Sequence, residues 1–207
     1  TMKSYLRFLS RNKLYTAIEV VGLSLALAFV IPMICFYTNV ARISKGHDNY
    51  KNIYSLCVDH VQVSSPGFGD FLKERVPEID KVTSPILNNA WYDIENTNRK
   101  IHYVDKDFFY FFPAKFNKGG IDFLDTPNSI AVSKEFADYL AKSGPVIGRE
   151  IDHNSNRYIV NAVFDEYGSN VLSGCDILIN NEAIRKSGHN DFIHGYRGSM
   201  TFFSINP

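Results

Sequence analysis

The chain is poor in the residues and motifs that announce chemistry. Its three cysteines are too few for the disulfide frameworks that hold small secreted domains together. There is no Gly-Lys-Ser/Thr phosphate loop, so the chain is not expected to hydrolyse ATP by itself. Gly67-Phe68-Gly69 lacks the third glycine of a dinucleotide fingerprint. His189 and His194 are the closest pair among six scattered histidines, and they miss the i, i+4 spacing of a helical zinc pair. No serine stands in a Gly-x-Ser-x-Gly elbow. The formal net charge is zero, which leaves no electrostatic footprint for nucleic acid. No repeat of about 20–50 residues is visible, which argues against solenoids and propellers. Neither an enzymatic centre nor a cofactor or metal site is expected.

What the chain does have is one long apolar run. Val20 to Ala41 contains no Asp, Glu, Lys or Arg. As a helix rising about 1.5 Å per residue, it spans the roughly 30 Å hydrocarbon core of a bilayer. Lys3, Arg7, Arg11 and Lys13 precede it, opposed by Glu19, while Arg42 and Lys45 follow. The heavier basic flank favours a cytoplasmic N-terminus, with Gly46 onward exported. A cleaved signal peptide is the rival reading, because Ala26-Leu27-Ala28 resembles a cleavage site. That tripeptide sits mid-run, with apolar sequence continuing to Tyr37, so an uncleaved anchor is the expectation. Pro32 does not oppose this, since membrane helices tolerate proline. Gly22 and Ala26 form a small-xxx-small face that would let another helix approach, or are ordinary membrane-helix composition.

Ahead of the run, Lys3, Arg7 and Arg11 share one helical stripe and Met2, Tyr5, Leu6 and Leu9 the opposite one. That pattern suits an amphipathic helix lying on the inner lipid surface; the alternative is a solvated leader that only fixes topology. The leader's excess positive charge leaves the remainder weakly acidic.

The exported stretch of about 160 residues suffices for one core or two small lobes. Its sequence predicts strands over Ile53 to Val63, Lys81 to Leu87 with an interruption at Pro85, Asn128 to Val132, Cys175 to Ile179 and Ser199 to Ile205. Helices are predicted over Phe68 to Val76, from Lys134 to Ala141 behind a Ser133 cap, and over Glu182 to Ser187. The polar turns at Glu95 to Asn98 and Asn154 to Asn156 signal hairpins. Interleaved strands and short helices without regular βαβ units predict an α+β domain with mixed or antiparallel sheets.

Three features stay open on sequence alone. Phe108, Phe109, Phe111 and Phe112 are core or an apolar pocket; Trp91 and Tyr92 line an interlobe cleft or cover one end of a sheet. Asp105 and Asp107 bracket a lysine at a helix start, where they favour the helix dipole. Cys57 and Cys175 are expected as unpaired, buried thiols, with a single disulfide as the alternative.

Several segments, in order, resemble the MacB/FtsX-like permeases of ABC transporters, especially their Bacteroidetes-type members. They are Leu9-Ser10-Arg11-Asn12-Lys13-Leu14-Tyr15 with Gly22-Leu23-Ser24, then Asn52-Ile53-Tyr54. Leu72 to Ile79 with its Pro77-Glu78 step, Val104-Asp105-Lys106-Asp107-Phe108-Phe109, Asn128 to Ser133, and Pro145 to Ile151 with Gly148 at a bend follow. Tyr158 to Phe164 closes the series.

The resemblance fits a cytoplasmic amphipathic leader with a transmembrane helix (1–45) and implies a mixed α/β periplasmic core domain (46–207) with a porter-like lobe and a smaller inserted lobe, 91–160. It implies a permease subunit of an exporter or mechanotransmission complex in the bacterial inner membrane, paired as a dimer and driven by a separate cytoplasmic ABC ATPase. Membrane lipid and periplasmic or outer-membrane partners are further expectations. Family permeases carry three more spans, so the chain reads as an N-terminal fragment. The alternative is a single-pass sensor with a ligand-binding ectodomain; a membrane-tethered enzyme fits the empty motif search less well.

Overall fold

The computed structural model describes residues 13–45, 52–57, 64–126, 128–165, 174–182 and 199–205. The chain forms two compact units, Thr1–Gly46 and His47–Pro207. In the first, α1 (Lys13–Lys45) is a single helix of 33 residues with Pro32 inside it. It is about 50 Å long. Its stretch Lys13–Thr38 is long and apolar enough to cross a membrane and is not buried against protein. Ala26-Leu27-Ala28 lies in mid-helix. The proposed amphipathic leader, with Lys3, Arg7 and Arg11, lies outside the described residues.

The second unit runs β1 (Ile53–Ser55), α2 (Phe68–Arg75), β2 (Ile79–Thr83), β3 (Ile86–Ile94) and β4 (Thr97–Val104). It continues with α3 (Phe108–Phe111), β5 (Lys115–Lys118), β6 (Ser129–Ser133), α4 (Lys134–Leu140), β7 (Glu150–His153) and β8 (Asn156–Asp165). The last elements are β9 (Ile177–Asn180) and β10 (Phe202–Ile205). Short 3-10 turns occupy Ile121–Asp125 and Ala141–Ser143.

The strands build two sheets. The small one has order β1-β10-β2 and is antiparallel. The large one has order β3-β4-β9-β6-β8-β5, with β7 also paired to β8. Within it β4/β9 and β6/β8 are parallel and the other pairs antiparallel. Residues 91–160, read above as a smaller inserted lobe, contribute to this large sheet together with residues 86–90, 161–165 and 177–180.

Both faces of the large sheet are covered, and strand alternation divides two cores. Ile101, Ile130, Val132, Val160, Ile177 and Ile179 face α4, whose Phe136, Ala137 and Leu140 are buried on them. Val104, Ala131, Ala162, Phe164 and Leu178 face the other way, onto Phe108, Phe109, Phe123 and Leu124. A register shift in the β6/β8 pairing, with Ile130 opposite Val160 but Ala131 opposite Ala162, leaves Asn161 as an extra residue. That bulge keeps Val160 and Val163 on one face and Ala162 and Phe164 on the other. Central β6 is buried along its whole length, as a strand covered on both faces must be. Phe108, Phe136 and Phe164 are fully buried, each contributing about 1.5–3 kcal/mol of transfer free energy. The phenylalanine cluster is therefore core: Phe108 and Phe109 meet edge to face at 5.3 Å.

Local chemistry sets the connections. Both hairpin turns use two residues at positive φ, Glu95 (53°) with Asn96 (59°) and Asn154 (48°) with Ser155 (62°). That geometry matches the strand twist. Non-glycine Glu95 is held there by Tyr139, whose hydroxyl donates to its carbonyl at 3.1 Å, and by Arg149 Nη2, 3.1 Å from its carboxylate. The Ser133 hydroxyl caps α4 by accepting from Phe136 N at 3.2 Å. Gly148 takes φ +82 in the bend after Pro145, and its amide donates to Val160 O at 2.8 Å.

Agreement and difference with expectation both have local causes. The interruption expected at Pro85 is there: the stretch Lys81 to Leu87 divides into β2 and β3, since proline cannot donate to a ladder. The first strand is described only at Ile53–Ser55. The helix expected after Glu182 and the histidines at 189 and 194 lie outside the described residues. Cys35, Cys57 and Cys175 form no disulfide with one another. Cys175 is buried but Cys57 is exposed, which corrects the expectation of two buried thiols: Cys57 follows the short β1 rather than continuing it into the core.

Candidate functional site

The two sheets meet at a polar cleft of about 340 Å³. Gly69, Asp70 and Lys73 of α2 line one side, with Val82 and Ser84 at the end of β2. The turn Asp105-Lys106-Asp107 after β4 and the residues Asn180, Asn181 and Glu182 at the end of β9 line the other. α2 can pack this tightly because residue 69 is glycine: a Cβ there would lie 2.6 Å from Ser84 Oγ and 2.9 Å from Val82 Cγ2.

Asp105 reaches from the large sheet to the small one. Its Oδ2 accepts from Thr83 Oγ1 at 2.8 Å and from Ser84 N at 3.0 Å. Asn181 Nδ2 donates to Ser84 O at 3.2 Å, so both peptide groups of Ser84 are gripped from the large sheet. The Ser84 hydroxyl shares a 2.8 Å hydrogen bond with Thr201 Oγ1. Asp107 lies 3.3 Å from Lys81 Nζ and 3.7 Å from Lys73 Nζ, adding two ion pairs across the same seam. Lys106 instead pairs with Asp125.

The two carboxylates stand at the expected helix start and also reach across the seam. Asp107 occupies the N-cap position of α3 without a side-chain cap bond. Asp105 Oδ1 and Asn181 Oδ1 are both sealed from solvent. Burial pushes the Asp105 carboxyl up from 3.8 to about 6, and the neighbouring Asp107 charge adds to the rise. Hydrogen bonds from Ser84, Thr83 and Phe108 oppose it.

A second cleft of about 490 Å³ holds Trp91, Arg99, Ser133, Lys134, Glu135, Asp138 and Asp176 among its walls. Trp91 is 60% exposed, and its ring carries Lys100 Nζ at 4.8 Å from the centroid. Beneath it, Arg99 Nη1 and Asp176 Oδ1 pair at 3.0 Å, and the guanidinium lies 4.4 Å from the Phe136 ring centroid.

The structure does not bring Trp91 and Tyr92 to one cleft. Neighbours on a strand face opposite ways. Tyr92 packs against the α4-side core, edge-on to His153 at 4.8 Å, and its hydroxyl accepts from Asn88 Nδ2. Lys13 is the exposed first residue of α1. Gly22 and Ala26 lie one turn apart on that helix, with nothing within 4 Å of a Cβ built at Gly22.

Sequence reasoning missed Thr83, Ser84 and Asn181. The available signal was the polar Thr83-Ser84 pair closing an apolar strand, but their partners lie about 20 and 100 residues away. Among the described residues no group of three or more His, Cys, Asp or Glu could hold a metal ion. The site offers hydrogen bonds and ion pairs between two sheets, an arrangement suited to holding and transmitting position.

An apolar anchor-length helix followed by an α+β domain of two sheets defines a membrane-tethered, periplasmic-type core domain. Residues 16–199 match the MacB-like periplasmic core domain family, and the chain belongs to it. Solved structures agree on the fold. A domain of a protein assigned as a permease from Porphyromonas gingivalis superposes with TM-score 0.57 at 14% identity, covering 75% of this chain and 74% of that one. The periplasmic region of MacB from Actinobacillus actinomycetemcomitans gives 0.53 at 11%, covering 74% and 73%. The extracellular domain of the ABC-type transporter YknZ from Gram-positive bacteria gives 0.50 at 13%, covering 75% and 82%. No curated protein matches the sequence. The family and the fold together make this a permease-type component of a transporter, with an apolar N-terminal helix and a domain of the periplasmic kind.

Proposed function

We propose that the chain belongs to a permease subunit that couples a separate cytoplasmic ABC ATPase to movements of a periplasmic domain, in an exporter or a mechanotransmission complex. The observation that carries this reading is the family match over residues 16–199, joined to a domain whose first and last described strands pair side by side. Motion of the membrane helix would enter through β1 and spread through the small sheet to the seam at Ser84, a mechanical rather than chemical output.

In this reading Lys3, Arg7, Arg11 and Lys13 keep the N-terminus cytoplasmic, 46–207 is exported from the inner membrane, and 91–160 forms a lobe able to meet periplasmic or outer-membrane partners. Gly22 and Ala26 give a second permease helix a close approach. Trp91 lines the cleft open to a partner, while Tyr92 supports it from the core side.

The test is copurification of the full-length gene product from its own membranes. An ABC ATPase recovered in stoichiometric amount, whose hydrolysis rate changes when the permease is present, supports the proposal. A cytoplasmic kinase or cyclase output in the gene product, with no associated ATPase, supports the sensor alternative.

A further inference from the structure

The chain passes from the small sheet to the large one at Ser84-Pro85, between β2 and β3. The seam beside this crossing is held largely by polar contacts, with the Phe112–Phe202 ring contact beside them. Asp105 takes the Thr83 hydroxyl and the Ser84 amide, Asn181 takes the Ser84 carbonyl, and Asp107 pairs with Lys73 and Lys81. Of these carboxylates, only Asp105 has an oxygen, Oδ1, sealed from solvent, and no cation pairs with it among the described residues. Both lysines from the small-sheet side are turned to Asp107, and Lys106 is turned to Asp125. The other charges lining the cleft, Asp70 and Glu182, are negative. Hydrogen bonds from Thr83 and Ser84 are what α2, β2 and the β9 end offer a charge on Asp105; among the described residues none of these elements gives it a cation.

We propose that the Asp105 carboxyl is an acid-tightened latch between the two sheets: protonation locks the small sheet onto the large one, and deprotonation loosens it. The proton belongs on Oδ1, since Oδ2 already accepts from Thr83 and Ser84. A neutral acid keeps both of those bonds and removes the cost of a sealed, unpaired charge. Opening the seam returns the carboxyl to water, where it ionises near its ordinary 3.8 rather than near 6. The closed state thus binds the proton more tightly, on the order of a hundredfold. The sign follows from linkage: a carboxyl raised on closing takes up a proton on closing. Closure therefore strengthens as pH falls through about 6 and gains nothing more below about 4. Between pH 7 and pH 5 the closed-to-open ratio rises about tenfold.

The latch is independent of the permease reading, because it concerns two sheets of one domain. It is tested on the full chain in detergent, with Cys35 and Cys57 replaced by serine and spin labels at Asp80→Cys on β2 and Asp138→Cys on α4. Pulsed distance measurements should show one narrow population at pH 5 and a second, longer one growing in at pH 7.5. Asp105→Asn, which carries an amide donor where the protonated acid carries its hydroxyl, should give the narrow population at both pH values. A distribution that does not respond to pH, or an Asp105→Asn chain that responds as the parent does, overturns the proposal. A measurement needing no variant at residue 105 guards against misfolding: the isotope-edited carboxyl signal of Asp105 should titrate near pH 6. A midpoint near 4 overturns the latch.

Discussion

Ile53 lies directly opposite Ser204 across the antiparallel β1/β10 pair. The chain's first and last described strands in this unit are neighbours, and β10 in turn pairs with β2. A pull on the segment before Ile53 is therefore borne by the small sheet. It reaches the seven-stranded sheet through the seam around Ser84, the bridges at Ser199 and the Phe112–Phe202 ring contact. That path makes the seam, rather than either core, the place where the fold can give.

Gly69 tests the closeness of that seam. A Cβ at this position meets Ser84 Oγ and Val82 Cγ2 well inside contact distance. Gly69→Ala should lower stability by about 1–3 kcal/mol through overpacking. Chemical denaturation of the parent and the variant checks this; equal midpoints would mean that α2 stands further off the sheet.

The Arg99–Asp176 pair is nearly enclosed, with side chains 11% and 13% exposed. Asp176 also accepts from Lys100 N at 3.0 Å. Removing one partner, as in Arg99→Leu, leaves a buried charge and should cost about 3–5 kcal/mol. The double variant Arg99→Leu with Asp176→Leu should recover part of that loss, and a double-mutant cycle in urea measures it.

Phe108 is 0% exposed and packs on Phe109 and Phe112. Phe108→Ala should cost about 3–5 kcal/mol by cavity formation. Thermal unfolding followed by tyrosine fluorescence reads the shift.

His153 is buried beside Tyr92 and 3.4 Å from the Tyr103 hydroxyl, and burial lowers its pKa below the ordinary 6.5. A depressed histidine pKa means that the folded state resists protonation. Its contribution to stability is complete above about pH 6.5 and declines as pH falls below it. His153→Gln should flatten that decline, read as the difference in unfolding midpoint between pH 7.5 and pH 5.

Much of this domain could be read from local sequence because its punctuation is local. Glu95-Asn96 and Asn154-Ser155 each interrupt an alternating apolar pattern, and both became two-residue hairpins. Ser133 ahead of Lys134 marked the start of α4 with the bond it makes. By contrast, β5 has one apolar residue among Lys115 to Lys118, and it is a strand because β8 offers an edge to pair with. Its lysines suit an edge that must not recruit another strand. The parallel pairing of β4 with β9 joins residues about 76 apart in sequence and leaves no local trace. Trp91 and Tyr92 read as one aromatic feature until strand alternation separates them. The seam was the least legible part, since Asp105 reads as a helix-start acid until the fold sets Thr83 and Ser84 against it.

Replacing Lys3, Arg7, Arg11 and Lys13 with asparagine should scramble the orientation of α1, because the basic flank sets which side is retained. A periplasmic reporter fused after Gly46 should lose activity; unchanged activity would show that other features fix the topology.

Cys57 provides the most direct test of the account as a whole, because it is an exposed, free thiol in the domain held to lie outside the cytoplasm. A membrane-impermeant maleimide added to intact spheroplasts should label the full-length protein, and Cys57→Ser should abolish that label. Labelling that appears only after lysis would place the domain in the cytoplasm and contradict the permease reading.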